Sequence, residues 1–239
     1  MPALSARRLP ATLFVSVGNV GGGPPFWWDR LAAAIVHATE AGLRRHGLRD
    51  GPTRRRFYLR VTEELKRMPA DRARIALEEY ERSLGIDPGA GARYDTEPRL
   101  AWTEIEAMSR SVFDIGSHGL DHLLLSRLPP AEAERQVVDS KRELEERLVR
   151  PIELFAYPNG KPQDVTKEVR EAVCRAGYTG AVATVEGRVA AGSDPFFLER
   201  IGATRGLSAT PRGAFSRTLF AAELAGLFQP VRYASRDTI

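Results

Sequence analysis

Residues 112–122 read Val112-Phe113-Asp114-Ile115-Gly116-Ser117-His118-Gly119-Leu120-Asp121-His122, and the reading of this stretch decides the fold. Residues 112–116 carry β-branched and aromatic side chains and end on glycine, the pattern of a buried strand. Two histidines four residues apart follow directly. If the chain enters a helical turn there, His118 and His122 project from one face. Two neutral imidazoles so placed supply two of the three protein ligands of a His-His-carboxylate metal site, with a further position left for water. The plainer alternative is a pair of polar histidines at a helix start, with no metal.

On both sides of this stretch, strand patterns alternate with helix patterns. Residues 11–17 form an apolar, β-rich run closed by Gly18, a strand. Thr103 is placed to cap a helix running to about residue 110, with Glu106 as its capping-box partner. Residues 129–149 read as a long amphipathic helix with Val137, Val138, Leu144 and Leu148 inward. Strands follow at 152–157, 179–184 and 197–201, with helices at 162–176 and 212–228. This alternation means an α/β fold with a parallel sheet, open or closed into a barrel. In such folds functional groups collect where strands end and loops begin.

Residues 27–110 behave differently. Leu31, Ala34, Ile35 and Ala38 recur at helical spacing, as do Leu65, Ile75, Leu77 and Tyr80, in a segment dense with Glu and Arg. Breaks fall at Gly51-Pro52 and at residues 86–89. The segment is expected to be a mostly helical insertion covering one face of a single domain that spans 1–239.

Bulk composition narrows the class without naming a function. The 239 residues are 43% hydrophobic and 28% charged, enough for one compact domain with a sizeable core. The formal charge of +4 arises from 35 Lys and Arg against 31 Asp and Glu, with the signs interspersed. That balance does not call for nucleic acid or a membrane surface as partner. The single cysteine, Cys174, excludes an internal disulfide and thiolate clusters, and its helical context reads as a small buried hydrophobe. No signal peptide or spanning segment is visible, so the sequence as written is expected to be cytoplasmic.

A second element sits at a strand end: Phe155-Ala156-Tyr157-Pro158-Asn159-Gly160. Proline fixes one torsion and glycine permits a positive one, so a tight loop forms. Such a loop can aim backbone N–H groups at a developing oxyanion, or it can be an ordinary strand-to-helix turn. Trp27 and Trp28 can stack on a sugar ring or pack the insertion against the sheet.

Together these segments resemble the polysaccharide deacetylases of carbohydrate esterase family four. Ile115-Gly116-Ser117-His118 with His122 is similar to that family's second motif, and residues 156–160 to its third, Arg-x-Pro-x-Gly. Residues 9–15 resemble its second strand. Phe26-Trp27-Trp28-Asp29 is similar to a subgroup carrying a helical insertion, and Glu199-Arg200-Ile201-Gly202 resembles the stretch near its last motif. The resemblance implies a distorted (β/α) barrel and hydrolysis of an N- or O-linked acetyl group on a sugar. It further implies a divalent metal, commonly zinc, with His118 and His122 as ligands. The backbone N–H of Asn159 would be an oxyanion donor, and Tyr157, Pro158 and Trp28 would contact an acetylated glycan.

The departures set further expectations. The family's first motif, Thr-Phe-Asp-Asp-Gly, carries the base and the third ligand on a strand upstream of residues 9–15, and the sequence as given starts after it. The third-motif arginine is Ala156 here. The fifth-motif histidine has no counterpart, since the histidines are His37, His46, His118 and His122. The chain is therefore read as N-terminally shortened, lacking the first strand, poorly active, and with a metal site that can stand empty. Two other classes remain open. One is an inactive carbohydrate-binding relative; the other is a scaffold whose arginine-rich insertion, with Arg54-Arg55-Arg56, binds a partner protein.

Overall fold

The computed structural model describes residues 2–88, 90, 99–202 and 214–225. After a short helix α1 (Pro2–Ser5), strand β1 (Ala11–Val15) opens the sheet. Four helices follow: α2 (Trp27–Val36), α3 (Glu40–His46), α4 (Gly51–Arg67) and α5 (Ala70–Ser83). Helix α6 (Trp102–Ser109) leads into β2 (Phe113–Ser117), and α7 (Pro130–Leu148) into β3 (Leu154–Ala156). Helix α8 (Lys167–Arg175), β4 (Gly180–Glu186), β5 (Leu198–Arg200) and α9 (Arg217–Leu224) complete the described elements.

The fold is α/β, with five strands in the spatial order β1-β2-β3-β4-β5, all parallel. Among the described residues no ladder joins β5 back to β1, so the sheet has two ends. Each crossover steps to the next strand in the same direction. Right-handed connections then stack the helices on one face, and α6, α7 and α8 do pack side by side there. Ile105, Val137, Leu144, Val169 and Val173 meet Ile115, Ile152, Phe155 and Ala181 in the core between the layers. Strand spacing is tight at Gly116, where an added Cβ would come within 2.6 Å of the Phe14 ring and 3.0 Å of the Leu154 carbonyl. Only glycine lets β2 lie that close to its neighbours.

The middle segment is helical through 27–83 and builds its own core. Leu31, Ala34 and Ile35 of α2 pack on Phe57, Val61 and Leu65 of α4 and on Leu77 of α5. Local chemistry fixes the helix ends. Thr39 caps α3 by accepting from the Gly42 N–H, and Gly47 ends it at φ 65°. Asp50 and Thr53 form a reciprocal capping box on α4. One ion pair lies inside this layer: the Arg30 guanidinium donates twice to the fully buried Glu81 carboxylate, at 3.0 and 2.7 Å.

Several expectations are corrected. Thr103 does not cap α6; the cap position is Ala101, whose N–H donates to the Glu104 carboxylate at 2.8 Å. Val138 is 39% exposed and Ile75 39% exposed, because each lies at the edge of its apolar stripe. Cys174 is exposed, on the outer side of α8. The expected final helix at 212–228 is helical only at α9; residues 214–216 and 225 are described and lie outside the helix, while 212–213 and 226–228, like 91–98 of the middle segment, lie outside the described residues.

Candidate active site

Because the strands are parallel, their C-terminal ends share one edge, and β2 delivers His118 there. The His118 N–H still pairs with the Val15 carbonyl of β1 at 2.8 Å. Its ring Nδ1 lies 2.5 Å from the Ala156 carbonyl of β3. The imidazole is thus gripped by both neighbouring strands. A carbonyl only accepts, so Nδ1 carries the proton and Nε2 keeps its lone pair.

His122 reaches the same place by a route the sequence reading did not foresee. Residues 118–122 form no helix. Gly119 at φ 77° and His122 at φ 53° turn the chain instead. The two rings nevertheless stand side by side, centroids 4.5 Å apart and planes at 89°. Helix α7 pins the turn from below. Fully buried Gln136 accepts from the Asp121 N–H and donates to its carboxylate, at 3.0 and 2.7 Å. Buried Ser140 bonds Ser117 Oγ at 2.8 Å. Sequence reasoning missed both residues, although two polar side chains on the inward face of an amphipathic helix were the signal for it.

Burial depresses the basicity of both imidazoles. It lowers the pKa of His118, with Arg200 adding to the effect and the Ala156 carbonyl opposing it. His122 is pushed down to about 4, by burial first and then by His118 and Lys66. Both rings are therefore neutral at pH 7, the state in which imidazole binds metal.

An aromatic wall at the start of the helical segment closes over the pair. Phe26 and Trp28 stack at 4.4 Å and 9°, and Trp28 meets His122 edge-on at 4.6 Å. A cavity of about 480 Å³ lies against this wall, lined by Ser16, Asn19, Trp28, Asp29 and both histidines. The sequence reading did not single out Ser16 or Asn19, and it quoted Asp29 only within the Phe26–Asp29 resemblance, with no role at the site. The first two follow a strand end, the position that identified His118. A smaller cleft of about 220 Å³ runs from His122 past Trp28, Tyr58 and Lys66 to Asn159.

The loop after β3 borders this cleft. Asn159 has φ 60°, its side chain donates to Asp164 at 2.5 Å, and its carbonyl accepts from Thr184 Oγ1. Its backbone N–H has no hydrogen-bond partner among the described residues. Tyr157 is a correction: it is 1% exposed, packs in the core, and donates its hydroxyl to the Phe196 carbonyl, so its side chain is not open to a substrate. Pro158 is also buried, on the Gly119 side of the loop.

Whether a metal suits these residues turns on the donor set. The free Nε2 of His118 and the buried, unpartnered Nδ1 of His122 fit the imidazole half of such a site. The carboxylate half is not there: among the described residues no three His, Cys, Asp or Glu side chains converge. Asp114 is held by Arg150 and Asp121 by Gln136, away from the pair.

A family model described as polysaccharide deacetylase matches residues 1–181. The chain belongs to the polysaccharide deacetylase family. YxkH of Bacillus subtilis (strain 168), a polysaccharide deacetylase by name, is 25% identical over 120 residues, which cover 50% of this chain and 42% of that protein. The match thus spans less than half the length of this curated relative. Among solved structures, the Streptococcus pyogenes deacetylase PplD in complex with acetate is 22% identical, with 45% of this chain and 46% of that one covered and a TM-score of 0.41. A Bacillus cereus polysaccharide deacetylase is 24% identical, with 54% and 38% covered and a TM-score of 0.43.

Proposed function

We propose that the chain hydrolyses acetyl groups, N- or O-linked, on a carbohydrate at the His118–His122 edge of the sheet. The observation that carries this reading is the pair of neutral, adjacent imidazoles at the strand ends, beside a cavity roofed by Trp28. His118 and His122 would supply two imidazole ligands to a divalent metal, zinc by the family's habit. When bound, that metal supplies a Lewis acid for the acetyl carbonyl and lowers the pKa of water. The chain's own residues do the positioning. Trp28 offers an aromatic face to the sugar, Ala156 holds the His118 tautomer, and the free Asn159 N–H stabilises the developing oxyanion. The described residues complete no ligand triad, so turnover by the chain as given is expected to be slow.

The test is acetate release from chitin oligosaccharides and acetylated xylan with added zinc or cobalt. We expect slow release by the parent chain and only the buffer rate from His118→Ala, since one general acid–base or ligand group is worth roughly 10²–10⁴-fold. Release that survives His118→Ala would refute the site. Glycan binding without release would favour an inactive carbohydrate-binding relative.

A further inference from the structure

A second cavity, of about 320 Å³, lies where the helical layer meets the turn that follows His122. Its walls are apolar: Leu65 and Met68 from the end of α4, Ala73 and Leu77 from α5, and Leu123 and Leu124 from the turn. The volume reaches the range of small-molecule sites, about 300–1,000 Å³, which are mostly apolar with a few placed polar groups. It adjoins the site described above. Trp27, Lys66 and Leu124 line both this cavity and the cleft that ends at His122 and Asn159. A ligand that crosses these three residues would have one end among the leucines and the other at His122.

The charges around the cavity are unequal. Arg30 is neutralised by Glu81 at 2.7 Å, Arg74 by Glu78 at 2.9 Å and Lys66 by Glu63 at 3.3 Å. Asp71 sits in the first turn of α5, where the free N–H groups of the helix offset its charge. Arg127 is different. It has no acidic partner among the described residues, and its Nε is buried with nothing to donate to. A buried donor of this kind is costly unless a ligand completes it.

We propose that this cavity takes the aliphatic chain of an anionic glycolipid, with Arg127 meeting the anionic group and the sugar lying at His122. The sugar half of this assignment rests on the deacetylase reading; the chain half does not. A site for a free polymer needs no apolar pocket beside the reacting group. An acetylated sugar joined through a phosphate to a hydrocarbon chain has one part for the cleft, one for the Arg127 cation on the cavity wall and one for the apolar cavity.

The experiment is calorimetric titration of the full chain with dodecyl phosphate below its micelle concentration, with dodecyl maltoside as the neutral chain and inorganic phosphate as the chainless anion. Dodecyl phosphate is expected to bind and inorganic phosphate is not. Two wall variants, Ala73→Phe and Leu123→Asn, should each weaken dodecyl phosphate by about tenfold, as displaced or polar-lined chain contacts would. Thermal unfolding shows which of them is folded. Arg127→Gln should weaken dodecyl phosphate and leave dodecyl maltoside unchanged. No binding of dodecyl phosphate, or equal binding by a folded wall variant, overturns the proposal. Equal binding by Arg127→Gln overturns its anionic part. His118→Ala separates the two readings, since it should abolish acetate release and keep chain binding. Chain binding by a parent protein that releases no acetate would sink the deacetylase reading and leave the apolar site standing.

Discussion

His122 concentrates the chemistry of the site in one residue. It holds a left-handed backbone, which histidine tolerates better than most side chains, and its ring is shielded by Phe26, Trp28 and His118. With a folded pKa of about 4 against 6.5 unfolded, the unfolded chain takes up the proton first as pH falls. The neutral ring's contribution is complete above pH 6.5 and is lost between pH 6.5 and 4, a change of about 3 kcal/mol. Urea unfolding of the metal-free chain should show stability falling through this window, and His122→Asn should flatten the fall. An equal slope in the variant would mean that the ring is not held neutral. The histidines were legible in the sequence as a pair, but not how they meet. A four-residue spacing suggested a helical turn, whereas Gly119 and His122 at positive φ make a tighter one. Tyr157 was misread for a related reason: its place in a motif says nothing of which side of β3 it faces, and it faces the core.

At the scale of elements, period and punctuation were enough to find the strands and the long helix α7, because alternation and a 3.6-residue repeat are local. Exposure at the stripe edges was not, since Val138, Ile75 and Cys174 depend on which neighbour covers them. Nor was the partnership of α2 with α5. Arg30 and Glu81 are 51 residues apart, and no local pattern links them, yet they meet inside the helical layer. Removing one partner there leaves a buried charge uncompensated. Arg30→Leu should cost about 3–5 kcal/mol, and the double variant Arg30→Leu/Glu81→Leu should recover most of it. Denaturant midpoints of the three proteins decide this; a double variant as unstable as the single one would contradict it. Because α2 also carries Trp27 and Trp28, loosening the pair should disturb the roof of the site.

At the scale of the molecule, one sheet edge and one helical layer make the site together. The strands bring His118, Asn159 and the Ser16–Asn19 turn to a common edge, and the helical segment lays Trp28 and Asp29 across it. The fold class followed from the alternation of elements. The helical segment's place as a wall of the site did not, because helical periodicity shows which face is buried and not against what. The most direct measurement of the central claim, that His118 and His122 form the reacting centre for an acetylated glycan, is the visible absorption of added cobalt(II). The parent chain should give ligand-field bands that shift when N-acetylchitooligosaccharide is titrated in, and His118→Ala should give none. Bands that persist unchanged in His118→Ala, or a parent chain with no bands at all, would contradict it.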